Sequence, residues 1–188
     1  MSAELGKDLE QWISSLLRHS LARMEVPFFG RFYEAWGHRD PHTLNVLIQW
    51  YMAGRGASEL LAEEQHMGQA LQRLLDQLEV LPAHLTKAVT LFFLALFAGA
   101  AWAWQIPPLD GCTGLLRAWT ENQVTAAIKL MPLGQTQGQK ILMRPAPVIS
   151  EAVAIGLALP DEKIGASAPG LMLASALHET QHTRLFRS

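Results

Sequence analysis

Cysteine is almost missing from this chain: among 188 residues only Cys112 carries a thiol, so no internal disulfide can form. An excess of one charge is missing too. Fifteen Lys and Arg stand against seventeen Asp and Glu, a formal net charge of −2, which offers nucleic acid or an anionic membrane surface no broad footprint. No basic segment followed by an apolar run opens the chain, so the cytoplasm is the expected compartment. Strand signals are scarce, since β-branched residues seldom alternate with polar ones and no Asn-Gly or Asp-Gly pair joins two such runs. Internal repeats and low-complexity tracts are absent as well.

What is present is apolar residues at helical spacing. At 49% hydrophobic, a chain of this length can bury one substantial core, and the expected fold is an all-α, single-domain helical bundle over residues 1–188. Leu9, Trp12, Ile13, Leu16, Leu17 and Met24 give a first amphipathic element, and Pro27 opens an aromatic stretch that Gly37 ends. Asp40-Pro41 reads as a cap and first-turn proline for a helix through Leu44, Leu47, Ile48 and Tyr51, stopped by Gly54 and Gly56. Ser58 can cap a longer helix whose stripe is Leu60, Leu61, Met67, Leu71, Leu74, Leu75 and Leu78. Pro82 begins an apolar helix, and Asp110-Gly111 separates it from another through Leu116, Trp119, Val124 and Ile128. The IGASAP loop is the last clear break, and Pro169 starts a terminal helix.

The apolar stretch Ala88 to Trp104 carries no charge and approaches the lower limit for a membrane span. It is rich in alanine, ends at Gln105 and the Pro107-Pro108 break, and lacks flanking basic clusters beyond Lys87, which favours a helix buried at the centre of a bundle. A small helical membrane protein is the alternative.

Chemical motifs are few. Gly134-Gln135-Thr136-Gln137-Gly138-Gln139-Lys140 fails as a phosphate loop: the glycines are one residue too close, Gln139 intervenes before the lysine, and Ile141 stands where a hydroxyl should hold magnesium. A turn between helices is the expectation there. Cys112 sits between Gly111 and Thr113 in an expected turn with no assignable histidine, and there is no G-x-S-x-G elbow. The Glu63-Glu64 and Asp161-Glu162 pairs read as solvated surface, and Lys129, inside an apolar run, can snorkel to water. At the C-terminus His178-Glu179-Thr180-Gln181-His182 fits H-E-x-x-H, and a zinc metallopeptidase is the alternative it raises. A catalytic zinc needs a third protein ligand, yet residues 183–188 hold no His, Asp, Glu or Cys, so neither a metal site nor a catalytic residue is expected.

Two segments carry a family resemblance. Trp119, Glu121-Asn122-Gln123-Val124, Ala126-Ala127, Lys129-Leu130, Pro132-Leu133-Gly134-Gln135-Thr136 and Gly138-Gln139 follow the pattern W-x-E-N-Q-V-x-A-A-x-K-L-x-P-L-G-Q-T-x-G-Q. His178-Glu179-Thr180-Gln181 and Arg184-Leu185-Phe186-Arg187-Ser188 follow a closing motif. In this order they resemble the urease accessory protein UreF family, with weaker similarity in Pro27 to Tyr33 and Glu59 to Gly68. The family's usual opening pattern, L-P-x-G-x-[FY]-[ST]-x-[ST]-x-G-[LI]-E, has no counterpart in Met1 to Gly6, and His182 stands where the family more often has another residue.

The resemblance implies a non-enzymatic, all-α, homodimeric scaffold that binds UreD-type and UreG-type accessory proteins and apo-urease, and couples the UreG-type GTPase to nickel insertion. Nickel and GTP would be handled by the assembly, with no cofactor bound by this chain. Partner contacts are expected from Lys129, Pro132, Gln135 and Gln139, and from Glu179, Gln181, Arg184, Leu185, Phe186 and Arg187, with residues 184–188 a docking tail.

Overall fold

The computed structural model describes residues 2–55, 58–87, 92–130 and 134–165. Among these there is no strand, and the all-α class holds. In chain order the helices are α1 (Ser2–His19), α2 (Glu25–His38), α3 (Pro41–Arg55), α4 (Ser58–Gln77), α5 (Ala83–Thr86), α6 (Phe93–Ala103), α7 (Pro108–Leu130), α8 (Gln135–Met143) and α9 (Ala146–Leu157). Short 3-10 turns occupy Leu21–Arg23 and Asp161–Lys163. The described residues form two compact units, one of residues 2–30 with 106–165, the other within residues 31–105.

In the first unit α1 buries Leu9, Ile13, Leu16 and Leu17, while Trp12 stays 44% exposed and stacks on Trp119 of α7, ring centroids 6.4 Å apart. The helix stops at His19, and the Leu21–Arg23 turn carries Met24 inward as a separate piece of core. α7 begins at Pro108, where a first-turn proline costs no hydrogen bond, so Asp110 and Gly111 lie inside the helix rather than between two. Cys112 is accordingly a buried helix residue, not a turn residue. α9 turns Ile149, Ala152, Val153 and Gly156 inward, and it approaches so closely that a Cβ on Gly156 would stand 2.6 Å from Val26 Cβ and 2.7 Å from the Ala22 carbonyl oxygen.

In the second unit the residues of α2 from Arg31 onward bring in Phe32, Ala35 and Trp36. Pro27 sits in the first turn of that helix, and Gly37 does not end it: Arg39 does, in the left-handed region at φ 54°. α3 starts as its sequence requires. Asp40 accepts the His42 N–H at 2.9 Å and the Thr43 hydroxyl at 2.6 Å, and Leu44, Leu47, Ile48 and Tyr51 are buried.

α4 departs from the expected stripe. Met67, Leu74 and Leu78 are exposed, and the inward line runs through Glu64, Gly68 and Leu75. Glu64 is therefore no surface carboxylate. At 4% exposure it accepts the Tyr51 hydroxyl at 3.1 Å, the Arg55 guanidinium at 2.5 Å and the Leu94 N–H at 3.3 Å. The last bond explains why the apolar stretch is not one helix from Pro82. Phe92 is extended and α6 starts afresh at Phe93, so its first turn has unsatisfied N–H groups, one of which Glu64 takes from another helix. Against the other side of α6, Trp36 Nε1 donates to the Ala95 carbonyl at 2.8 Å, and Gly99 leaves room for the Trp36 ring.

α6 has 11 residues, of which seven from Leu94 to Ala101 are buried, in keeping with a core helix. Among the described residues no helix is long and apolar enough to cross a membrane. Residues 88–91 lie outside the described set, as do the terminal segment after Gly165 and its expected helix from Pro169.

Candidate partner surface

The first family-like segment lies on α7 and α8, and helical geometry divides its residues by role. Leu116, Thr120, Val124 and Ala127 lie on the inner face of α7 and are buried. Thr120 donates its hydroxyl hydrogen to the Leu116 carbonyl at 2.8 Å, so its one side-chain donor is already used within α7. The opposite face carries Glu121, Asn122, Thr125 and Lys129, spaced at three, four and seven residues, and all four are exposed. Lys129 thus reaches water directly in the last turn of α7, beside Leu130, which leaves 56% of its surface open.

α8 meets α7 through a glycine. A Cβ on Gly138 would overlap Ile128 Cδ1 and come within 3.6 Å of Val124 Cγ1, so any larger residue holds the helices apart. Gln139, next in sequence, is exposed. At the far end of α8, Arg117 donates from Nη1 to the Leu142 carbonyl at 3.2 Å, which fixes α8 to α7 at a terminus whose last carbonyls have no intrahelical donor. The expected turn from Gly134 to Lys140 is corrected: only Gly134 is extended, at φ −70° and ψ 153°, and the rest of the segment is helix. Glutamines and a threonine are tolerable helix residues once the tertiary contact at Gly138 holds them.

Of the expected partner residues, the structure places Lys129 and Gln139 on exposed positions and puts Gln135 at the start of α8, its side chain outside the described set. Pro132 is outside the described residues, and so are Glu179, Gln181, Arg184, Leu185, Phe186 and Arg187. His178 and His182 fall there too. Three members of the α7 face, Glu121, Asn122 and Thr125, were not among the expected partner residues. Their spacing to Lys129, of four, seven and eight residues, is legible in the sequence, but which face of α7 is covered is not.

Nucleophilic chemistry at Cys112 is disfavoured, because burial without a compensating charge pushes its thiol up to about 12 and keeps it protonated. Among the described residues no group of three or more His, Cys, Asp or Glu is arranged to hold a metal ion.

The UreF family model matches residues 5–146. Urease accessory protein UreF of Alkalilimnicola ehrlichii is 45% identical over 179 residues, 94% of this chain and 78% of that protein. The protein of the same name from Chromohalobacter salexigens is 42% identical over 96% of this chain and 78% of its own length, and urease accessory protein UreF 2 of Brucella anthropi is 41% identical over 94% and 78%. With a helical structure, the α7–α8 segment and relatives of this similarity along nearly its whole length, the chain belongs to the UreF family of urease accessory proteins.

Proposed function

We propose that this chain is a non-enzymatic scaffold of urease maturation, which couples a UreG-type GTPase to nickel insertion into apo-urease and also holds a UreD-type partner. It acts in the cytoplasm as a homodimer, and nickel and GTP belong to the assembly rather than to this subunit. The observation that supports this reading best is the outward face of α7. Glu121, Asn122, Thr125 and Lys129 form a continuous polar stripe in the segment that resembles the family most, and packing does not require them there, since Val124, Ile128 and Gly138 already join α7 to α8.

Chemically the stripe suits a polar, specific contact. Lys129 offers a point charge to a carboxylate or phosphate, and Gln139 offers an amide that both donates and accepts. In the tail, Arg184 and Arg187 can clasp a carboxylate in bidentate fashion while Leu185-Phe186 supplies an apolar anchor, a mixture that interface hot spots favour.

Affinity capture of the UreD-type and UreG-type partners tests the proposal. Lys129→Ala and Arg184→Ala should leave the helical content unchanged while weakening capture; for one interface arginine the loss is about 2 kcal/mol, or roughly thirtyfold in affinity. Capture at wild-type strength by both variants and by a deletion of residues 184–188 would overturn it.

A further inference from the structure

The first unit contains a second charged surface, away from the outward face of α7. One cavity of about 460 Å³ lies between the start of α1 and α8; Lys7, Lys140 and Arg144 line it with Thr136, and among the described residues no carboxylate does. A neighbouring cavity of about 550 Å³ runs along α1 and shares Lys7 and Arg144 with the first. Its further cation is Arg18 and its lone carboxylate Glu10. The two form one trough. Glu4 and Asp8 also belong to α1 but line neither cavity.

Two of these cations are already paired, but loosely. Arg144 Nη1 meets Glu10 at 2.7 Å and Arg18 Nε meets Glu151 at 3.1 Å, with both arginine side chains more than two-fifths exposed. Exposed pairs of this kind contribute little, so an incoming carboxylate can replace the resident one at small cost. Lys7 and Lys140 make no ion pair among the described residues and give the trough a standing positive charge in a chain whose net charge is −2. The cations are strung out rather than convergent: from Lys7 to Arg18 along α1 is about 16 Å at the helical rise, the span of roughly five residues of extended chain.

From this arrangement we infer that the α1–α8 trough is a docking surface for an extended acidic protein segment, whose carboxylates engage Lys7, Lys140 and Arg144 and, further along, Arg18. A single small anion would reach only one end of it. The inference is independent of the partner surface on α7.

The test is fluorescence anisotropy of a labelled ten-residue peptide alternating Glu and Gly, titrated with the full chain. Binding should weaken steeply with salt, and Lys7→Glu with Lys140→Glu should cost about tenfold or more in affinity. Lys7→Gln with Lys140→Gln should give a smaller loss in the same direction and serves if the reversals disturb folding. The control is Lys87→Glu with Lys163→Glu, which changes net charge equally at exposed sites outside the trough and should alter affinity less than twofold. Three results would overturn the inference: no binding by the wild type, equal losses in the two charge-reversed doubles, or displacement of the peptide by inorganic phosphate beyond that by sodium chloride at matched ionic strength, which would make the site one for small anions.

Discussion

Replacing Glu64 by alanine strikes a carboxylate that, among the described residues, is alone in being buried in the second unit. The side chain is 4% exposed and accepts from three donors on two other helices: Tyr51 and Arg55 of α3, and the Leu94 N–H of α6. Truncation takes this acceptor from the Tyr51 hydroxyl, itself fully buried, from the Leu94 amide, and from an Arg55 side chain that is only 17% exposed. Breaking a buried pair costs about 3–5 kcal/mol. The lower end is appropriate here, because Arg55 retains some solvent and its guanidinium lies 5.2 Å from the Tyr51 ring centroid, where a cation–π contact persists. A loss of about 3 kcal/mol is a large share of the roughly 5–15 kcal/mol that keeps a domain folded, and for a chain of this size it lowers the melting temperature by about 6–12 °C. Urea unfolding followed by circular dichroism, with calorimetry alongside, measures both. Combining Glu64→Leu with Arg55→Met removes both charges of this pair and should be less harmful than Glu64→Ala alone, since apolar side chains of similar volume take their place. A cost below about 1 kcal/mol for Glu64→Ala, or a double variant less stable than the single, would refute the reasoning.

Three further outcomes are expected. Gly138→Ala should destabilise by about 1–3 kcal/mol in urea unfolding, because the new methyl overlaps Ile128, and Ile128→Val should restore part of the loss in the double variant. Cys112, its thiol raised to about 12 by burial, should resist a disulfide reagent at pH 8 in the folded protein and react at once in denaturant. Asp40 is held below its ordinary value chiefly by the Thr43 hydroxyl, so its contribution is present above the unfolded carboxylate range and is lost as pH falls through its folded value. Asp40→Asn should therefore be less stable than the wild type in thermal melts near neutrality, with the difference shrinking as pH falls below about 4.

The sequence discloses local signals well and distant partners poorly. Asp40-Pro41 states the start of α3 because both the cap and the proline act within one turn. Asp110-Gly111 misleads for the same reason: both residues favour breaks in isolation, yet Pro108 has already opened the helix and packing carries it through. On α4 the leucines suggest a stripe through Met67, Leu74 and Leu78, whereas the interior takes Glu64 and Gly68, because what neutralises a buried glutamate is an arginine nine residues earlier and a backbone amide thirty residues later. Neither is visible in a local pattern. For the candidate surface, Lys129 and Gln139 follow from motif resemblance, while the rest of the α7 stripe requires knowing which face of that helix is covered. α8 and α9 are also hard to read in advance: their close approaches depend on Gly138 and Gly156, and glycines count against helix in a propensity reading.

The scaffold reading is tested most directly by the nickel content of urease itself. In cells that express a urease with its other accessory proteins but lack a UreF, supplying this chain should raise both nickel per purified urease and urea hydrolysis well above the level without it, and Arg184→Ala should forfeit most of that gain while accumulating normally. Nickel in urease that stays at the level without the chain, although the protein is folded and abundant, would contradict the account.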